Sequence, residues 1–224
     1  MIQILVGFGP MMLKALGQTL LLALLGLFFA CIIGLIFGLM NVVKNKACNI
    51  IATIFVDVIR GVPMIVLAYF IFFGIPYLWN NMLGIGGMTL TALTAGTICL
   101  ALNCGAYMAE IIRAGIQSVD KGQMEAARSL GLSYGVAMRK VVLPQAIRTM
   151  IPSIINQFII TLKDTSILSV IVFPEVVNTT KNVVGITFKS FQAWALAGLM
   201  YLVVIIALSR LAKMLERRLN RGRE

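Results

Sequence analysis

"ALGQTLLLALLGLFFACIIGLIFGLM", from Ala15 to Met40, contains no charged residue on any side of a helix. An amphipathic helix of a soluble core would carry a polar face at this length; an uncharged run of this length has lipid as its solvent. Four further windows share the character, giving approximate spans at 15–41, 50–73, 90–112, 149–173 and 190–212. The whole chain agrees, with 60% hydrophobic and 12% charged residues in 224. The sequence therefore predicts an all-α integral membrane protein of five transmembrane helices.

An odd number of spans puts the termini on opposite sides. Lys44 and Lys46 follow the first window. Arg113, Lys121, Arg128, Arg139, Lys140 and Arg148 lie between the third and fourth, and Arg210, Lys213, Arg217, Arg218, Arg221 and Arg223 close the chain. The opposite face has Lys14, Lys181 and Lys189 as its only cations, and residues 74–89 carry no charge. The positive-inside rule then places the N-terminus outside and the C-terminus in the cytoplasm. The net charge of +11 is largely this topology signal; without interleaved aromatic and basic residues it does not predict nucleic-acid binding. The N-terminus lacks a basic n-region and its apolar run is too long for a cleaved signal peptide, so the first span is expected to persist.

The sequence contains no histidine, which removes Ser-His and Cys-His catalysis and the commonest zinc ligand together. Cys31, Cys48, Cys99 and Cys104 show no metal-type spacing and are expected to pack as small apolar groups. Asp57 and Asp164 lie in apolar windows but not in a Gly-x-Gly-Asp context, which makes aspartyl proteolysis a poor fit. Gly26, Ala30, Gly34 and Gly38 recur every four residues, as do Thr97, Ala101, Gly105 and Ala109. Each set makes a smooth helix face, expected to bring helices together within one subunit.

Ionised residues inside such windows are costly, about 2.5–3.5 kcal/mol each on insertion scales, so they face a partner or water. Arg60 lies about ten residues into the second window, Asn103 about thirteen into the third and Lys163-Asp164 about twelve to fifteen into the fourth, all near mid-depth at a rise of 1.5 Å per residue. Asp57 and Arg60, three apart, could instead neutralise each other on one helix. Adjacent Lys163 and Asp164 point about 100° apart and cannot pair so easily. Polar and ionised residues that converge on one level of the membrane mark where a solute would pass, which makes Arg60, Asn103, Lys163 and Asp164 the candidate substrate residues.

Between the third and fourth windows, "EAARSLGLSYGVAMRKVVLP" from Glu125 to Pro144 is solvated and alanine-rich. Asp120 with Gln123 predicts a reciprocal N-cap, Glu125 a first-turn anion, and Ala126, Ala127 and Leu130 one face. Gly131 is expected to stop the helix in the C′ position. Ser133 should cap a second short helix, which Pro144 separates from the fourth span.

Glu125-Ala126-Ala127, Gly131 and Leu143-Pro144 match the E-A-A, G, L-P pattern of permease subunits of ATP-binding cassette importers, and here the chain resembles that family. "VIRGVPMIVLAYFIFFGIP" from Val58, "LNCGAYMAEIIRAGIQSVDKGQMEAARSLG" from Leu102, "VVLPQAIRTMIPSIINQFI" from Val141 and "LKDTSILSVI" from Leu162 resemble its polar amino-acid branch; "KDTSI" stands where "KDTSL" is usual. The resemblance implies a single permease domain over 1–224 in a bacterial cytoplasmic membrane. Its loop at about 114–144 would dock Glu125, Ala126, Ala127, Leu130 and Gly131 into a cytoplasmic ATPase. It also implies a second permease subunit, identical or a close paralogue, an ATPase dimer, an extracytoplasmic binding protein and a polar amino acid as solute, moved by alternating access.

The chain lacks G-x-x-x-x-G-K-[ST], so ATP and Mg belong on the partner ATPase and no cofactor is expected here. The chain is thus expected not to be an enzyme. A secondary transporter of small polar solutes is the alternative, although the internal inverted repeat usual there is not visible.

Overall fold

The computed structural model describes residues 2–43 and 45–220. Lys44, Arg221 and Arg223, which enter the topology argument, lie outside them, as do the side chains of Arg217 and Arg218. Every regular element among the described residues is helical: α1 Ile2–Met40, α2 Lys46–Gly61, α3 Met64–Met82, α4 Ala92–Gln117, α5 Lys121–Ser129, α6 Tyr134–Ile171, α7 Val176–Thr187 and α8 Ser190–Asn220. Five segments are long and apolar enough to cross a membrane: Val6–Met40, Met64–Met82, Ala92–Gln117, Tyr134–Ile171 and Ser190–Met214.

The second span differs from the apolar window at 50–73, because the helix breaks inside it. Pro63 has no N–H to donate and pushes Val62 out of the helical region, to φ −96° and ψ 130°. On the N-terminal side of the break lies α2, capped by Asn45 Oδ1 accepting the Ala47 N–H at 2.9 Å; on the C-terminal side the chain enters the span α3. Asp57 and Arg60 therefore belong to α2, and counting residues into a continuous span does not give the depth of Arg60.

The fourth span departs in the other direction. Pro144 does not separate a short helix from it. A π turn over Met138–Val142 carries the Leu143 N–H to the Met138 carbonyl, and the helix continues into Leu143–Asp164. The wider turn absorbs the proline, whose ring would clash in a regular α turn and which has no N–H. Another π turn, Phe70–Gly74, precedes Pro76 in α3. Since α4 runs to Gln117 and α6 starts at Tyr134, residues 118–133 connect these two long helices.

The smooth faces of α1 and α4 meet. A β-carbon added at Gly26 would lie 2.6 Å from Leu100 Cβ, and one at Gly38 2.8 Å from Ile112 Cβ; Gly34 abuts Met108 and Gly105 abuts Ile33. Small residues here let two backbones approach within one subunit, as expected. Around this pair, Leu22, Leu67, Ile71, Leu100, Leu168 and Phe173 form a core joining α1, α3, α4 and the end of α6. All four cysteines are free, and Cys99 and Cys104 are buried.

α7 is tied to the bundle by a carboxylate that periodicity alone does not flag. Glu175 is fully buried and caps α7, accepting N–H bonds from Val177 at 2.7 Å and Asn178 at 2.5 Å and an O–H bond from Tyr201 of α8 at 3.1 Å. Thr19 of α1 accepts the Val176 N–H at 3.2 Å. Helices α1, α7 and α8 thus share one polar joint.

Candidate functional site

The break in the second apolar window opens a cavity. Its wall is the end of α2 and the connection to α3, from Arg60 to Met64, facing Asn103 and Tyr107 of α4 and Gln157, Ile160, Asp164 and Ile167 of α6; the volume is about 490 Å³. No regular helix could present Arg60, Gly61, Val62, Pro63 and Met64 together to one space, because successive side chains point 100° apart. Leaving the helical conformation at Val62 makes this wall.

Three of the four substrate candidates meet here. Arg60 lays its guanidinium carbon 5.0 Å from the centroid of the Tyr107 ring. Asn103 is 8% exposed, its amide 3.8 Å from the Met64 sulfur. Asp164 is half-buried on the opposite wall. The expected alternative, in which Asp57 and Arg60 neutralise each other, is not realised, since Arg113–Glu110 at 2.6 Å is the single ion pair within 4 Å among the described side chains. Lys163 is exposed and does not line the cavity. Its depth matches that of Asp164, but its direction does not.

Two polar lining residues, Gln157 and Tyr107, were not among the candidates. Gln157 is 6% exposed and lies seven residues before Asp164, two helical turns along one face; Tyr107 lies four after Asn103 on another. Helical spacing from the ionised residues is the signal that finds them. The set combines one guanidinium, one carboxylate and two amides with apolar surface from Met64, Ile160 and Ile167. A cation and an anion facing one space, with amides able to donate and accept, complement a small zwitterion.

The second set of candidates lies on α5. Asp120 caps it by accepting the Gly122 N–H at 2.7 Å, but Gln123 does not reciprocate; its Oε1 accepts from Gln145 Nε2 of α6 at 3.2 Å. Glu125 stands in the second turn rather than the first. The three apolar residues do not share a face: Ala127 is buried at 5% exposure, whereas Ala126 is exposed and Leu130 is 83% exposed. Residues 126 and 130 are four apart and point outward, with 127 turned about 100° towards the bundle. Gly131 ends the helix at φ +83°, as expected, and Leu132 N–H returns to the Ala127 carbonyl at 3.3 Å. Ser133 occupies the cap position of α6 without a side-chain cap bond.

Residues 26–221 match the family described as "Binding-protein-dependent transport system inner membrane component". The chain belongs to this family. Among its relatives, the glutamine transport system permease protein GlnP of Escherichia coli (strain K12) is 34% identical, the match spanning 94% of each chain. The arginine transport system permease protein ArtQ of Bacillus subtilis (strain 168) is 32% identical over 94% of this chain and 93% of its own. A crystal structure of an amino acid ABC transporter with histidines superposes with a TM-score of 0.87 at 37% identity, covering 96% of both chains. The helical bundle described above is thus a permease fold, and the relatives named here are permease proteins of amino-acid transport systems.

Proposed function

We propose that this permease is the translocation subunit of an ATP-driven importer that moves a polar amino acid across the bacterial cytoplasmic membrane by alternating access. The observation that carries the reading is the cavity in which Arg60 and Asp164, neither in an ion pair within 4 Å among the described residues, face Asn103 and Gln157. Arg60 would take the α-carboxylate and Asp164 the α-ammonium, with the amides completing the hydrogen bonds. These groups read what all amino acids share. The relatives' names, glutamine and arginine, and the histidines of the superposed structure agree on that class and differ in side chain.

With the N-terminus outside and the C-terminus inside, as the cationic bias favours, α5 would lie in the cytoplasm, where Glu125, Ala126 and Leu130 would enter a cleft of the ATPase and Gly131 would set the helix's exit. A second permease copy or paralogue, an ATPase dimer carrying ATP and Mg, and an external binding protein complete the assembly. Membership of a binding-protein-dependent family favours ATP coupling over the ion coupling of a secondary transporter. The test is ATP hydrolysis by the complete complex in proteoliposomes, measured with each of the common amino acids. Stimulation by one or a few polar amino acids is expected; hydrolysis that no amino acid stimulates would overturn the proposed solute class.

A further inference from the structure

A second polar cavity, of about 390 Å³, lies between α2 and α4 on the other side of Arg60. Thr53, Asp57, Arg60, Glu110, Arg113 and Gln117 contribute to its wall. Gln117 closes α4, and the cavity also reaches the turn after α1, so it lies at the end of the bundle that the proposed orientation places in the cytoplasm.

Within this second wall two of the four charged residues, Glu110 and Arg113, are spent on each other. Arg113 donates to both carboxylate oxygens of Glu110, at 2.9 and 2.6 Å, and to Gln117 Oε1 at 2.7 Å. Asp57 is left as the carboxylate without an ion pair. Arg60 is the one residue that lines both cavities. Each space therefore holds the same guanidinium and one carboxylate outside any ion pair among the described residues, Asp164 in the first and Asp57 in the second.

We propose that the second cavity is a release station for the same zwitterion, and that Arg60 hands the solute from one to the other. The solute's carboxylate stays on the guanidinium while its ammonium exchanges Asp164 for Asp57. Arg60 is suited to this, because its present contact is a ring face rather than a carboxylate, and a long side chain at a helix end can follow the solute without moving the backbone. Asp57, three residues before Arg60 on α2, keeps the second anion within reach of the same cation. A structural role for the Asp57–Arg60 spacing would instead bring the two within ion-pair distance, which they are not.

This inference rests on the amino-acid reading above, and the experiment separates the two. The complete complex in proteoliposomes is assayed for uptake of radiolabelled glutamine, arginine and histidine against concentration, beside melting curves of the purified complexes. Asp57→Asn is expected to lower the maximal rate by about fivefold or more while the half-saturating concentration stays within about twofold, and Asp57→Glu to recover most of the rate. A merely structural carboxylate would lower the melting temperature and the rate together. A wild-type rate in Asp57→Asn, or a loss that follows the melting temperature and is not recovered by Asp57→Glu, overturns the release station and leaves the importer standing. A wild-type complex inert to all three solutes removes the amino-acid reading and this inference with it.

Discussion

At the scale of single residues, the central cavity depends on charges held without a protein partner. Asp164→Asn keeps the shape and removes the anion. Transport by this variant is expected to weaken at least about tenfold, equivalent to about 1.4 kcal/mol, with near-normal melting and intact ATPase assembly. Uptake against concentration in proteoliposomes checks it; a lowered melting temperature with unaltered half-saturation would show that Asp164 serves the fold. Lys163→Gln serves as the contrast, because Lys163 is exposed and lies outside the cavity. Its half-saturating concentration should stay within about twofold of wild type. The cost of ions in lipid made Arg60, Lys163 and Asp164 legible as candidates from sequence. That cost is blind to direction, so it could not tell that Asp164 turns into the cavity and Lys163 away from it. Gln157 and Tyr107 stayed out of sight because uncharged polar side chains in a span carry a weaker signal.

At the scale of elements, glycine positions decide both packing and aim. Gly34→Val would drive a β-carbon into Met108, where α1 and α4 are in closest contact. Overpacking of this kind costs about 1–3 kcal/mol, so a clear fall in melting temperature is expected, whereas Gly17→Ala, on the same helix with open space around it, should melt close to wild type. Gly131 differs, because nothing lies within 4 Å of an added β-carbon and the penalty is purely conformational at φ +83°. Gly131→Val should strain the turn by about 1 kcal/mol and mis-aim α5, lowering transport and loosening the ATPase while the bundle still inserts. Co-purification of the ATPase and uptake measure this, and wild-type values for both would remove α5 as the coupling element. Helix existence was plain in the apolar windows, but the boundaries were not. The same residue type acted in opposite ways: Pro63 broke a helix, whereas Pro144 was absorbed by a π turn whose Val142 packs in one buried cluster with Ile112 and Ile116 of α4.

At the scale of the whole molecule, the prediction is topology. On a background free of native cysteines, Leu83→Cys should react with an impermeant thiol reagent in intact cells and Ser133→Cys should not; both positions are exposed, so access to the reagent is set by the side of the membrane. The reverse labelling would remove the ATPase-docking role of α5. Five helices, their order and the cationic bias of their connections were determined by the sequence by itself, because transfer of side chains into lipid is a sum over local composition that needs no knowledge of neighbours. The small faces were equally legible, since a four-residue spacing already aligns them on one side of a helix. Which faces meet, α1 on α4, was settled only by tertiary packing, as was the cavity. Its walls come from α2, α4 and α6, separated in the chain by dozens of residues, and it opens where Val62 leaves the helix. Directions around a helix axis and the placing of a break against distant neighbours are properties of the packed bundle, so Arg60 became a residue shared by two cavities only once the helices had met.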